Sequence, residues 1–165
     1  MTGTTGNTEG ARVLGPQDGE IIGPPDGTSD RFMIDGHDSG GAFAVVEHRM
    51  APSALAAPLH MHTREDEYSY VLEGRVGALL GEEEVFGRAG DLIFKPRGQW
   101  HTFWNASDVP ARILEIISPA GLEDLFRQLG DELDPATLPA LAARYGCEVD
   151  FELTLPIVER HGLVF

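Results

Sequence analysis

Basic side chains are scarce in this chain, and long apolar runs are absent. Only 12 Lys and Arg stand against 27 Asp and Glu, which gives a formal net charge of -15. Such a surface repels phosphate backbones and anionic lipids. No segment approaches the roughly 20 apolar residues that span a bilayer, and the first residues lack the pattern of a secretion signal. We therefore expect a soluble, cytoplasmic protein that binds neither nucleic acid nor membranes.

Cysteine is almost absent as well. The single Cys147 cannot form a disulfide within the chain, and a buried structural thiol is its simplest interpretation. The 20 Gly and 11 Pro, by contrast, indicate many turns and short strands. The 165 residues fit one domain with one core, since single domains typically run to about 100–150 residues.

Short apolar runs separated by turn residues fill the middle of the chain, among them RFMID, AFAVVEH, YSYVLEG and ARILEIIS. Even spacing of such runs is typical of β-sandwiches and barrels. We expect residues 31–118 to form this barrel. Residues 1–30 are rich in Gly, Thr, Pro and Asp, and we expect them to form a flexible segment.

The periodicity changes after Ser118. One face of a short helix is predicted from the spacing of Leu122, Leu125, Phe126 and Leu129, and Gly130 stands where this helix would end. A second helix is predicted from about Pro135 to Tyr145. Residues 119–165 are therefore expected to form a helical extension.

A group of histidines and acids stands in the segment of residues 60–74. His60 and His62 are two positions apart, so on a strand both side chains point to one face, about 6.6–6.8 Å apart. Glu67 can add a carboxylate after the intervening turn, and this donor set suits a transition metal. Glu65 and Asp66 are expected to face solvent, because only Glu67 begins the next strand-like run. Taken alone, the segment is equally compatible with ordinary surface residues.

Residues 60–74 and 90–105 together resemble the paired signature of the cupin superfamily. The first motif of that family, G-x5-H-x-H-x3,4-E-x6-G, is matched by His60, His62, Glu67 and Gly74, with Ala54 in place of the opening glycine. The second motif, G-x5-P-x-G-x2-H-x3-N, is matched by Gly90, Pro96, Gly98, His101 and Asn105. Agreement in two separate segments makes the resemblance specific.

The resemblance implies an all-β fold, the cupin double-stranded β-helix or jelly-roll barrel, with short C-terminal helices. It also implies one divalent transition metal (Fe, Ni, Mn, Co, Cu or Zn) held by His60, His62, Glu67 and His101. Three histidines and one carboxylate leave coordination positions open, as catalytic metal sites do.

Other side chains near the motifs are assigned by strand alternation. Phe103 shares the face of His101 and is expected to wall a cavity, whereas Trp104 points oppositely, toward a second layer or a partner subunit. Either His48 or Arg49 should face the interior, and the pattern leaves open which one does. Either could contact a substrate.

The resemblance is strongest to quercetin dioxygenase-like cupins and includes the segment SPAGLEDLFRQLG after the barrel. It implies a metal-dependent oxygenase that acts on a small organic molecule, with Glu67 as the catalytic base. The alternatives are a non-catalytic module that binds a metal or small ligand, and an isomerase or cyclase that uses the metal as a Lewis acid. The expected partners are a small molecule and a second copy of the chain, in a homodimer.

Overall fold

The computed structural model describes residues 10–130 and 134–164. Eleven strands and three helices form in these ranges. The strands are β1 (Glu20–Ile22), β2 (Thr28–Ile34), β3 (Ala44–Met50), β4 (Leu59–His62), β5 (Asp66–Glu73), β6 (Arg75–Leu80), β7 (Glu83–Arg88), β8 (Leu92–Lys95), β9 (His101–Trp104), β10 (Ala111–Ser118) and β11 (Cys147–Asp150). The helices are α1 (Glu123–Leu129), α2 (Leu138–Arg144) and α3 (Leu155–His161).

The strands form two antiparallel sheets. One has the order β1-β2-β3-β10-β5-β8, and the other has the order β11-β4-β9-β6-β7. Strands that are adjacent in the chain therefore often lie in different sheets, as in a jelly roll. The predicted all-β jelly-roll fold with short C-terminal helices is confirmed.

Alternation along the strands fills the space between the sheets. In β10, residues 111, 113, 115 and 117 are buried, while the intervening residues are partly exposed. One apolar cluster, which includes Val71, Val76 and Ile113, fills one part of this interior. A second cluster joins Phe32, Val46 and Ile117 to residues of α1 and α2, so the helices are an integral part of the core.

Trp104 lies on the outer side of β9 and is nevertheless fully buried. It packs with Leu55, Ile157 and Leu163, and its ring stacks on His161 with 4.7 Å between centroids. The second layer that the sequence left open is thus formed by the C-terminal segment of the same chain.

The two ends of the chain differ in part from the expectation. β1 and the first residues of β2 lie within the segment expected to be flexible, and they pair in register with the six-stranded sheet; residues 1–9 lie outside the described residues. The extension beyond residue 118 contains the two expected helices, but it also contains β11. This strand forms because it completes the edge of β4, with Cys147 opposite His62. No helix in the described ranges is long and apolar enough to cross a bilayer.

Gly77 gives a test of the packing that holds β6 against β9. A Cβ at this position would lie 2.4 Å from the indole nitrogen of Trp104, which is rigidly buried. We expect Gly77→Ala to lower the free energy of unfolding by about 1–3 kcal/mol, the usual cost of overpacking. Denaturant unfolding measures this. Gly15→Ala is the control, because its nearest neighbour is the flexible Asp18 carboxylate; equal stability of the two variants would contradict this packing.

Candidate metal centre

Four side chains from three strands converge inside the barrel. His60 and His62 come from β4, Glu67 comes from β5, and His101 comes from β9, directly opposite His60 in the ladder. One ligand atom from each lies within 4.8 Å of the other three, and all four residues are buried. The two segments that the sequence singled out are therefore brought to one place.

Backbone carbonyls orient two of these imidazoles. Nδ1 of His60 lies 2.6 Å from the carbonyl oxygen of Pro58, and Nδ1 of His101 lies 3.0 Å from that of Gln99. A carbonyl oxygen only accepts, so each Nδ1 carries the proton. Nε2 of His60 then keeps its lone pair, and Nε2 of His101 lies 3.1 Å from Oε2 of Glu67. A partner on the other ring nitrogen is the usual support of a metal-binding histidine.

His62 supplies the test of whether the residues fit a metal. It is 2% exposed, and neither ring nitrogen makes a hydrogen bond with any described residue, although Nε2 lies 3.5 Å from Oε1 of Glu67. Buried polar atoms are nearly always satisfied in folded proteins. A free imidazole nitrogen beside two further imidazoles and a carboxylate is a donor set that suits a divalent transition metal.

A buried lysine stands beside the cluster. Nζ of Lys95 lies 3.0 Å from Oε2 of Glu67 and 3.0 Å from Oε2 of Glu115, and Ser69 donates a hydrogen bond to Glu115. Sequence reasoning missed Lys95 and Glu115. Strand alternation indicates the inward position of Lys95, because Lys95 shares its face of β8 with the core residue Ile93. In the same way, Glu67 shares its face of β5 with the core residue Val71.

These contacts set the charges of the cluster. Burial alone would raise the pKa of Glu67, but Lys95 and His62 outweigh burial and hold this pKa well below its usual range. Burial and the neighbouring histidines lower the pKa of His60 well below its usual range, and burial lowers that of His101. Glu67 is therefore an anion, and His60 and His101 are neutral, as metal ligands must be.

Glu65 corrects one expectation. The sequence placed it in solvent, but its side chain is buried at 4% exposure, and burial raises its pKa. The turn that carries it is held by the backbone and side-chain hydrogen bonds that Thr63 donates to Gly146, just before β11. Asp66 is partly exposed and pairs with Arg97, and neither Glu65 nor Asp66 belongs to the cluster.

A cavity of about 710 Å³ opens beside the cluster. His60, His62 and Glu67 contribute to its wall, together with Phe103, which confirms the cavity position of that ring. The opposite wall is formed mainly by apolar residues of the helices: Leu125, Phe126, Leu129, Leu138 and Ala142. His48 also faces the cavity, whereas Arg49 points outward to Glu47, which settles the alternative that the sequence left open.

Comparison with known proteins agrees with this geometry. The family described as "Cupin domain" matches residues 46–117, a range that contains all four residues of the cluster. The chain contains a cupin domain. It is 30% identical over 93 residues to the tetracenomycin polyketide synthase protein TcmJ of Streptomyces glaucescens, covering 56% of this chain and 62% of that protein. It is 33% identical over 113 residues to quercetin 2,3-dioxygenase of Aspergillus japonicus, covering 65% of this chain and 32% of that enzyme.

A solved structure supports the same fold. The polyketide cyclase RemF of Streptomyces resistomycificus superposes with a TM-score of 0.56 and 27% identity, covering 66% of this chain and 79% of that one. The chain covers less than two thirds of the length of TcmJ and of quercetin 2,3-dioxygenase. The comparisons therefore support a small cupin, similar to proteins whose named activities differ.

The four-residue cluster predicts a sharp effect of His101→Ala. Metal affinity should fall by more than the roughly 10–100-fold that is lost when the hydrogen-bond partner of a metal ligand is removed. Folding should persist, because the apolar core supplies most of the stability of a domain of this size. Metal content by mass spectrometry and cooperative unfolding by circular dichroism measure the two effects. Glu73→Ala is the control, since its side chain is 55% exposed and lies outside the cluster; unchanged metal content in His101→Ala would remove His101 from the ligand set.

Metal binding should also release protons. Burial opposes a charge on His62, but the Glu67 carboxylate outweighs burial and raises the pKa of His62 to about 10 in the metal-free protein. A ligating imidazole is neutral, so near pH 7 the ion must displace this proton, and apparent affinity should rise with pH up to that pKa. Calorimetric titration in buffers of different ionisation enthalpy measures the release. Identical heats in all buffers would show that His62 is already neutral.

Proposed function

We propose that this cupin is a metal-dependent enzyme acting on a planar enolic or phenolic molecule, and that its reaction is an oxygenation. The observation that carries the proposal is the position of the cluster, which contributes to the wall of a largely apolar cavity. A structural metal site would instead be closed on all sides by its ligands.

The cavity suits a flat organic molecule. Its volume of about 710 Å³ lies within the range of roughly 300–1,000 Å³ typical of small-molecule sites. Phe103 on β9 and Phe126 on α1 supply aromatic surface, and the leucines of α1 and α2 supply aliphatic surface. Quercetin, which the relative from Aspergillus japonicus is named for, is a molecule of this kind.

His60, His62, Glu67 and His101 would hold one divalent transition metal. When bound, such an ion supplies Lewis acidity toward an enolate and, if it is redox-active, electron exchange with dioxygen. Glu67 provides the anionic oxygens that accept a hydrogen bond or proton from an enolic hydroxyl, and Lys95 keeps one of those oxygens oriented. The apolar walls keep water from the reacting group.

Cyclisation is the second candidate reaction. Two proteins similar to this chain have names connected with polyketides, TcmJ and the cyclase RemF. A folded polyketide is also flat and enolic, and closing its rings requires proton transfer without an oxidant. The same cavity therefore fits both reactions. They differ in that only the oxygenation consumes dioxygen.

Oxygen uptake decides between these candidates. Protein loaded separately with Fe, Ni, Mn or Co is mixed with quercetin and related enolic compounds in an oxygen electrode cell, and products are analysed by mass spectrometry. An oxygenase consumes dioxygen and adds its atoms to the product. A cyclase gives, under nitrogen, a product that has gained no oxygen. His101→Ala should be inactive and Glu73→Ala active. Binding without turnover by any loaded form would favour a non-catalytic ligand-binding role.

We further propose that two copies pair through the six-stranded sheet. Its outer face exposes Tyr70 and Leu72 on β5 and Leu92 and Phe94 on β8, all more than a third exposed. Such neighbouring apolar side chains are typical of covered surfaces. Light scattering should give the mass of a dimer for the natural chain and that of a monomer for Phe94→Glu. A monomer at all concentrations would contradict pairing.

A further inference from the structure

The cavity holds a second polar group outside the metal cluster. Nδ1 of His48 on β3 lies 2.6 Å from Oδ1 of Asp30 on β2, and these residues are opposite each other in the ladder. Both residues line the cavity. The His48 side chain is 7% exposed and that of Asp30 is 20% exposed, so this pair is sheltered and yet in contact with the cavity.

The contact fixes the tautomer of His48. A carboxylate only accepts hydrogen bonds, so Nδ1 must carry the proton that it donates to Asp30. Neutral His48 then carries its lone pair on Nε2. Among the hydrogen bonds of the described residues, His48 takes part through its ring only in the one from Nδ1 to Asp30. This arrangement, a histidine whose far nitrogen is free and whose near nitrogen is held by a carboxylate, is that of a general base.

The ring is also held rigidly. It packs against Phe103 of β9 at 5.6 Å and against Phe126 of α1 at 5.5 Å between centroids. Both phenylalanines line the cavity, so His48 lies between the two aromatic surfaces that would contact a flat ligand. A catalytic group needs this kind of fixed position to be effective.

Three charged groups act on His48: Asp30 from β2, Glu115 from β10 and Lys95 from β8. Burial lowers the pKa of His48 and so does Lys95, but Asp30 and Glu115 outweigh them, and the pKa is raised above its ordinary value. His48 is thus able to exchange a proton near neutral pH.

We propose that His48, oriented by Asp30, is a second catalytic base of this cavity, and that the substrate carries a second acidic hydroxyl on the side that faces α1. In this step the O–H bond of that hydroxyl breaks and its proton passes to Nε2 of His48. The electron pair stays on the oxygen as an enolate or phenolate, and Asp30 stabilises the imidazolium. The proton returns to product or solvent, so no oxidant is consumed. This inference rests on the proposed function, from which it takes the class of substrate. The step applies to an oxygenation and to a cyclisation alike.

The test compares the natural protein with His48→Gln and Asp30→Asn, all loaded with Zn and kept under nitrogen. The probe is quercetin, whose absorption moves to longer wavelength when its hydroxyls ionise. Both variants should keep full metal content, because neither residue belongs to the cluster. Ionisation of the bound probe should require higher pH in both variants. His161→Gln, remote from the cavity and stacked on Trp104, is the matched control.

Turnover gives the second readout, with the metal that proves active. We expect kcat to fall about 100-fold in His48→Gln, the lower end of general-base effects. The rise of kcat/KM with pH through the pKa of His48 should disappear in that variant and move to lower pH in Asp30→Asn. If the natural protein binds no enolic probe, both this inference and the proposed function fail. If it binds and ionises quercetin, but the variants do so equally at every pH, only the role of His48 is overturned.

Discussion

A carboxylate that stays ionised inside a protein needs a cation or hydrogen-bond donors beside it, and one lysine meets this need for two acids in the interior of this barrel. Glu67 and Glu115 are both almost fully buried. Removing such ions from water costs several kcal/mol each unless they are paired and hydrogen-bonded. Lys95 lies between them and contacts both, and it is the only lysine in the chain. Its position therefore decides where both acids can lie.

The order of the strands makes this pairing possible. β5 lies between β10 and β8, so Glu115, Glu67 and Lys95 come from three neighbouring strands of one sheet. The histidines come from β4 and β9 of the opposite sheet and meet Glu67 across the interior. In the metal-free protein the second positive charge comes from His62. A divalent ion would replace that proton and leave Lys95 in place, so the same carboxylate serves both states without rearrangement of the sheet.

The sequence predicted much of this because alternation and spacing are local properties. His60 and His62 on one strand face, the position of Phe103, and the end of α1 at Gly130 all follow from short-range periodicity. Lys95 and Glu115 were missed because a charged side chain at an inward position resembles a surface residue until its partner on another strand is known. Glu65 was misplaced for a related reason. The turn that carries it is bonded through Thr63 to Gly146, which is distant in the chain and lies next to a strand too short to show a pattern.

The metal centre and the cavity wall also differ in how far the sequence predicts them. The cupin match spans residues 46–117 and contains the cluster, but much of the cavity wall lies outside it: Asp30 on β2, Leu125 and Phe126 on α1, Leu138 on α2, and Cys147 on β11. Residues that hold an ion are constrained by its chemistry, whereas residues that contact an organic molecule follow the shape of that molecule. Proteins that share the barrel can thus share the ligand set and differ in substrate. We therefore expect the proposed reaction to depend on the walls that β2, α1 and α2 supply outside the matched region, and on His48, which lies inside that region and packs against Phe126 of α1.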